Sequence, residues 1–260
     1  MLFLLSPAKT LDYESPLPPV AKRATQPRFV DEAAKLIDVL RGHSADDIAE
    51  LMSLSDSLAE LNVARYAAWS TRFTARNSRP AALAFNGDVY EGLQAASLSS
   101  ADWTWAQHHV VILSGLYGML RPLDRLQPYR LEMGTRLATP AGAKDLYGYW
   151  GDTLAETLNE AQADERAPIV VNLASQEYSR AALRPALRAR VIECVFEEWH
   201  GGEWKVISFF AKRARGLMAR HAIQQRASTL KALKAFDAEG YAFDAEASEA
   251  DRFVFRRKAG

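Results

Sequence analysis

Residues Val110–Gly134, VVILSGLYGMLRPLDRLQPYRLEMG, begin as an unbroken apolar run and pass at once into a loop that cannot be a helix. A short run of this kind, bounded by glycine, predicts a strand over Val110–Leu113 that is buried on both faces, as in an α/β sheet covered by helices. In the stretch that follows, Leu113–Gly134, Gly115, Gly118 and Gly134 permit positive φ or close backbone approach. Pro122 and Pro128 stiffen the chain and forbid a continuous helix. Arg121, Arg125 and Arg130 supply planar, permanently charged donors. Asp124 and Glu132 can orient those guanidiniums or bind a metal, and Tyr117 and Tyr129 add stacking faces. A rigid loop carrying these arginines at the tip of a buried strand reads as one wall of an anion-seeking cleft. The plainer alternative is an internal salt-bridge network that clamps the loop to the body.

Working outward, further short apolar runs predict strands at Leu2–Leu5, Ala82–Phe85, Ile169–Leu173, Val191–Phe196 and Val206–Phe210. Helical patterns alternate with them, at Phe29–Arg41, Ala45–Ser53, Asp56–Trp69, Ala101–His108, Lys144–Asp164 and Ala211–Arg226. Ser44 with Asp47 resembles a capping box, and Ser55 and Ser100 are placed to cap the helices after them. Tyr241–Phe243 and Arg252–Phe255 suggest a hairpin. Ser15–Pro27, with Pro16, Pro18, Pro19 and Pro27, predicts an extended surface arm. Nothing resembles a linker. The expectation is one compact α/β domain over residues 1–260, with a mixed sheet covered by helices.

The predicted strands end in polar residues. Leu2–Leu5 runs into Ser6 and Lys9, Ala82–Phe85 into Asp88, and Val110–Leu113 into Ser114. Ile169–Leu173 carries Asn172 and precedes Ser175 and Glu177, and Val206–Phe210 runs into Lys212, Arg213 and Arg215. In open α/β sheets ligands lie beyond the carboxyl ends of the strands, so parallel strands would bring these tips together. Trp204–Phe236 holds no Asp or Glu, yet holds Lys205, Lys212, Arg213, Arg215, Arg220, Arg226, Lys231 and Lys234. Read as a helix that begins with cations, AKRARGLMARHAIQQR opposes the helix dipole, a conflict that a bound anion would remove. The anion-binding candidates are therefore Lys9, Arg121, Arg130, Lys212 and Arg215. Ser6, Asp88, Ser114, Tyr117, Asp124, Glu132, Asn172, Ser175 and Glu177 support the cleft.

Composition limits the alternatives. Lys plus Arg and Asp plus Glu both number 32 in 260 residues, which argues against a generic nucleic-acid coat but allows a basic face. Cys194 is the single cysteine, so there is no intramolecular disulfide framework; its apolar setting suggests an inert buried thiol in a reducing compartment. The apolar start MLFLL is too short for a signal peptide, and no window approaches a membrane span, so the expectation is a soluble cytoplasmic protein. Adjacent His108 and His109 cannot chelate from a helix as an i, i+4 pair would. No metal site or cofactor is expected, although carboxylates such as Asp88, Asp124, Glu132 and Glu177 leave direct iron binding open. Ser6-x-x-Lys9 matches a serine–lysine spacing known from penicillin-binding proteins, without the companion motifs. Ala45–Trp69 reads as two helices joined by a very short turn, either packed on the sheet or presented to DNA in helix-hairpin-helix fashion.

The strings SPAKTLDYESPLP, AFNGDVYEGL, LSGLYGMLRPLDRLQPYRLEMG, NLASQEYSRA and ISFFAKRARGLMAR together resemble the YaaA peroxide-stress protein family, also termed UPF0246. The resemblance implies a cytoplasmic protein that limits free intracellular iron and oxidative DNA damage. It also implies a positively charged cleft and a helix-hairpin-helix element that bind duplex or branched DNA by shape. By position the cleft would use Lys9, Arg121, Arg130, Lys212 and Arg215, and the helix pair would use Asn62 and Arg65. No catalytic reaction comes with the resemblance. Two functions from different classes follow: a DNA-binding stress protein, with a monomer favoured and no membrane partner, or an enzyme acting on an anionic small molecule or nucleotide.

Overall fold

The computed structural model describes residues 1–139 and 142–258. Its strands are β1 (Leu2–Leu5), β2 (Thr10–Leu11), β3 (Arg79–Pro80), β4 (Phe85–Asn86), β5 (Val110–Ser114), β6 (Gly118–Leu120), β7 (Arg125–Leu126), β8 (Ile169–Leu173), β9 (Arg190–His200), β10 (Glu203–Lys205), β11 (Ala242–Asp244) and β12 (Arg252–Arg257). The helices are α1 (Val30–Arg41), α2 (Ala45–Met52), α3 (Asp56–Ala68), α4 (Ala81–Ala84), α5 (Asp88–Leu93), α6 (Ser100–His109), α7 (Leu146–Trp150), α8 (Thr153–Ala161), α9 (Gln176–Ala182), α10 (Ser208–Gln225) and α11 (Leu230–Lys234).

One mixed sheet organises them as a single α/β domain. Its order is β11-β12-β9-β8-β1-β5-β6, with β10 paired to β9. The five central strands, β12, β9, β8, β1 and β5, are parallel. β6, β10 and β11 are antiparallel to their neighbours. β1 and β5 are buried along their whole length, and β8 beyond its first residue, so helices must cover both faces there. On β9, by contrast, Ile192, Cys194 and Phe196 are buried while Glu193 is exposed. Among the described residues no helix is long and apolar enough to cross a membrane.

Several expected elements take another form. Ala82–Phe85 is not a strand: Ala81–Ala84 form a helical turn, and only Phe85–Asn86 is extended, paired with Thr10–Leu11. Alanine's high helix propensity wins in this run once Pro80 has fixed the entry. Val206–Phe210 is not a strand either. β10 stops at Lys205 and α10 begins at Ser208, so Phe209 and Phe210 belong to a first helical turn. A run of five residues, four of them apolar, has no period that separates the two states. Lys144–Asp164 is two helices, because Gly151 takes φ +49° between them. Within Ser15–Pro27, Pro19–Arg23 is a 3₁₀ turn. Ser44 and Asp47 do form a capping box, but Ser99, not Ser100, caps α6, and Ser55 makes no capping bond. β11 and β12 form the expected antiparallel pair.

The crossing of α5 and α10 sets the position of the site. A Cβ on Gly216 would lie 1.8 Å from the Val89 carbonyl oxygen, and one on Gly92 would lie 2.2 Å from that of Arg213. Only glycine at both positions lets the two backbones meet, which holds the start of α5 beside the first turns of α10.

Candidate functional site

The parallel order places the carboxyl ends of β1, β5, β8 and β9 on one edge of the sheet. At that edge lies a cleft of about 310 Å³. Five segments line it: the loop after β1, the start of α5, residues Tyr129–Glu132, the start of α9, and Lys212 and Arg215 of α10. Tyr90, Tyr129 and Tyr178 give it aromatic walls.

Hydrogen bonds hold these segments in register. The Ser6 hydroxyl accepts from the Ser175 backbone N–H at 2.8 Å and donates to the Ser175 hydroxyl at 3.3 Å, joining the tips of β1 and β8. The Tyr90 hydroxyl donates to the Ser6 carbonyl at 3.0 Å. Glu177 Oε1 accepts from the Gly134 N–H at 2.9 Å, which ties the glycine-bounded loop to α9. The Tyr66 hydroxyl of α3 donates to the Arg130 carbonyl. Gly115 allows that loop to close on β5, since a Cβ there would come within 2.4 Å of the Leu131 carbonyl oxygen. Burial raises the Tyr90, Tyr129 and Tyr178 hydroxyls above their ordinary pKa, so they act as neutral donors and acceptors.

The charges divide by wall. On one side Lys9 Nζ lies 2.7 Å from Glu132 Oε2, and Arg130 Nη2 lies 3.1 Å from Glu132 Oε1. On the other side are Lys212 and Arg215. Lys212 is exposed and Arg215 half-buried. Among the described residues neither has a carboxylate within 4.0 Å, whereas Lys205, Arg213 and Arg226 of the same acid-free window do. Burial lowers the Arg215 pKa below the usual guanidinium value, an effect that Glu193 and Cys194 partly offset. A partly desolvated cation without a close counter-ion is a ready seat for an anion.

Of the residues expected at the site, the structure brings together Ser6, Lys9, Asp88, Arg130, Glu132, Ser175, Glu177, Lys212 and Arg215. The others lie elsewhere. Ser114 is buried and bonded to the Tyr129 hydroxyl at 2.6 Å. The buried Tyr117 hydroxyl accepts from Trp69 Nε1 at 2.8 Å. Asn172 bonds Glu193 at 2.8 Å and the Ala174 N–H at 3.0 Å. Arg121 and Asp124 border a separate cavity of about 490 Å³, floored by Leu2, Val110 and Met119. Asp124 is 2 % exposed and accepts from the Thr25 hydroxyl, the Arg121 N–H and the Arg121 guanidinium, so this half of the loop is a clamp. Tyr90 and Tyr178 leave no signal in the sequence, because they sit on helices too short to show a period. α10 begins at Ser208, three residues before the expected start at Ala211. Lys212 is the fifth residue of α10, beyond the first turn where the dipole acts, so the expected conflict does not arise.

Two other expectations have a clear placement. α2 and α3 are joined through Ser53, in the left-handed region at φ 52°, and Leu54–Ser55. Asn62 is buried, donating to the Leu58 carbonyl at 2.7 Å and accepting from Arg65 at 3.3 Å. Cys194 is buried, and burial pushes its thiol well above the ordinary pKa. Among the described residues no group of three or more His, Cys, Asp or Glu side chains is placed to hold a metal ion.

The family described as Peroxide stress protein YaaA matches residues 1–247. A UPF0246 protein of Bordetella petrii is 65 % identical over 259 residues, covering 100 % of both chains. One from Bordetella avium is 65 % identical over 258 residues, and one from Paracidovorax citrulli 64 % over 258 residues, each covering 99 % of both chains. The chain belongs to the peroxide stress protein YaaA family.

Proposed function

We propose that this member of the peroxide stress protein YaaA family binds DNA, duplex or branched, through its phosphates at the mouth of a positively charged cleft. By doing so in the cytoplasm it helps limit free iron and oxidative DNA damage. The observation that carries this reading is the pair Lys212 and Arg215, which face the cleft with no carboxylate within 4.0 Å among the described residues. A cleft of about 310 Å³ is too small to admit a duplex, so contact is made across its rim. Phosphate contacts position a protein on DNA without reading bases, which favours recognition by shape. The exposed turn between α2 and α3 would act as a second, helix-hairpin-helix-like contact, coupled to the cleft by the Tyr66–Arg130 bond.

The test is binding of fluorescent duplex and four-way-junction DNA across a salt series. Wild type is expected to show a clear negative slope of log affinity against log salt. Arg215→Ala is expected to weaken binding about tenfold and to reduce that slope by about one. Absence of binding at low salt overturns the proposal.

A second function has its own observation. Asp88, Glu132 and Glu177 share the cleft with the linked pair Ser6 and Ser175, and phosphate binding calls for none of these acids. Carboxylates fixed beside hydroxyls and cations suit acid–base work on an anionic small molecule or nucleotide. Loss of peroxide protection in cells carrying Glu132→Ala, with DNA binding intact, would favour this enzyme.

A further inference from the structure

The cavity bordered by Arg121 lies at the opposite edge of the sheet from the cleft. Leu2 and Val110 are the first residues of β1 and β5, and Leu120 ends the antiparallel β6 beside them. Its volume is about 490 Å³, against about 310 Å³ for the cleft. Leu2, Val110, Met119, Leu120 and Leu158 form the floor, and the most exposed of them, Met119, is 7 % exposed. Close-packed interiors leave few voids of such size, and water on this floor would find few polar partners. The volume is that of a pocket for one small ligand. At the mouth stand Arg28 and Arg121, with side chains 54 % and 52 % exposed. Asp124 is the only carboxylate among the lining residues, and it is already occupied. It accepts from the Thr25 hydroxyl at 2.6 Å and the Arg121 N–H at 2.8 Å as well as from the Arg121 guanidinium.

A guanidinium carries five N–H donors in a planar fork. Arg121 spends Nε and Nη2 on Asp124, and Arg28 spends Nη2 on Glu160, so among the described residues Nη1 of each has no protein partner. Open forked donors thus stand over an apolar floor. We propose that this cavity binds a medium-chain fatty acid, with its alkyl chain along the floor and its carboxylate on Arg121 and Arg28. Charge complementarity selects the head, because two cations against one saturated carboxylate leave the lining net positive, and the guanidinium fork matches a carboxylate. The floor selects the body. An inorganic anion would leave it wet, and no Phe, Tyr or Trp among the lining residues offers a face to a nucleobase. Asp124 is then a positioning residue that holds the Arg121 guanidinium at the mouth. The site stands apart from the phosphate-binding reading of the cleft and does not depend on it.

The experiment is calorimetric titration of octanoate and of 1-octanol into wild type, Arg28→Ala, Arg121→Lys, Ala161→Trp and Arg215→Ala. Arg28 and Ala161 are exposed, and Arg121→Lys keeps a cation beside Asp124, so these variants should fold. Wild type is expected to bind octanoate saturably and 1-octanol about fivefold more weakly. Ala161 lines the cavity at the end of α8, so Ala161→Trp is expected to fill it and weaken octanoate about tenfold. Arg28→Ala and Arg121→Lys are each expected to weaken octanoate about fivefold, and Arg215→Ala to leave it unchanged. Absence of saturable octanoate binding by the wild type overturns the site. Equal affinity for 1-octanol overturns the carboxylate assignment. Octanoate binding that is unchanged in Ala161→Trp, or abolished by Arg215→Ala, places the ligand elsewhere and overturns the proposal. Self-association of the wild type in sedimentation that Ala161→Trp abolishes, with no octanoate bound, gives the cavity to a second copy of the chain and also overturns it.

Discussion

Along Tyr129–Gly134, Lys9 and Arg130 converge on the two oxygens of Glu132. Across the cleft, Lys212 and Arg215 project from α10 with no acid at pairing distance among the described residues, while Arg213, between them in sequence, is held by Glu239. The two walls carry the same number of lining cations and dispose of their charge in opposite ways. Sequence weight and functional weight therefore part company. The loop that stands out in the sequence, with its prolines and arginines, forms a wall whose two lining cations share one carboxylate and, at Arg121–Asp124, an internal clamp. The less conspicuous α10 supplies the open cations, and it can do so because two glycines let it press against α5.

The contact between α10 and α5 is where this comparison can be broken hardest. Gly216→Ala would ordinarily stabilise a helix interior by up to about 1 kcal/mol. Here the new Cβ falls 1.8 Å from the Val89 carbonyl oxygen, so the helices must separate. Overpacking of this kind is expected to outweigh the propensity gain and to cost about 2–3 kcal/mol net, read from chemical denaturation. Surviving folded protein is expected to lose DNA affinity, since Lys212 and Arg215 ride on the displaced helix. A Gly216→Ala protein as stable as wild type would show that this contact does not fix the α10 wall.

A smaller effect of opposite sign is expected on the other wall. Glu132→Gln keeps the shape of the side chain and removes the negative charge shared by Lys9 and Arg130. If the cleft binds phosphates, the freed cations are expected to tighten DNA binding about fivefold and to steepen the salt slope by about one. Peroxide protection in cells should then persist. Tighter binding with protection lost would mean that the Glu132 carboxylate performs a chemical step, and the enzyme reading would displace the binding one.

The sequence made the sheet legible and the pairing of charges illegible. Leu2–Leu5 and Val110–Leu113 are readable because full burial on both faces forces unbroken apolar runs, and Ile169–Leu173 nearly so, broken only by Asn172. Their parallel order then implied where the tips meet, and Ser6, Lys9, Ser175 and Glu177 do meet there. Ala82–Phe85 and Val206–Phe210 do not form the strands their composition suggests, because four apolar residues in a run of four or five fit a helical turn as well as a strand. Asp88, on α5, and Lys212 and Arg215, on the helix expected to carry them, reach the cleft all the same, although the strands expected just before them are a helical turn and the start of α10. Arg121 was misplaced for a different reason. It lies three positions before Asp124, and nothing in that spacing reveals that the carboxylate is buried and turns the guanidinium away from the cleft. Pairing between distant segments, such as Arg213 with Glu239, leaves no local pattern at all.

That last pair gives the mildest test. Arg213 hydrogen-bonds the Glu239 carboxylate through Nε at 3.0 Å and holds its pKa below the usual carboxylate range. A carboxyl whose folded pKa is depressed binds its proton more readily in the unfolded chain. The pair therefore contributes stability above about pH 4.3 and loses it as pH falls through the lower, folded value. Glu239 and Arg213 are 34 % and 28 % exposed at their side chains, so solvent screening limits the effect to below about 1 kcal/mol. Glu239→Gln is expected to flatten the acid limb of the stability profile between about pH 4.5 and pH 3, measured by thermal unfolding. At neutral pH it is also expected to leave DNA affinity unchanged, because Arg213 does not line the cleft even though its neighbours Lys212 and Arg215 do. Tighter binding by Glu239→Gln would mean that a freed Arg213 can swing into the cleft, and the division between paired and open cations on α10 would then be one of charge balance alone.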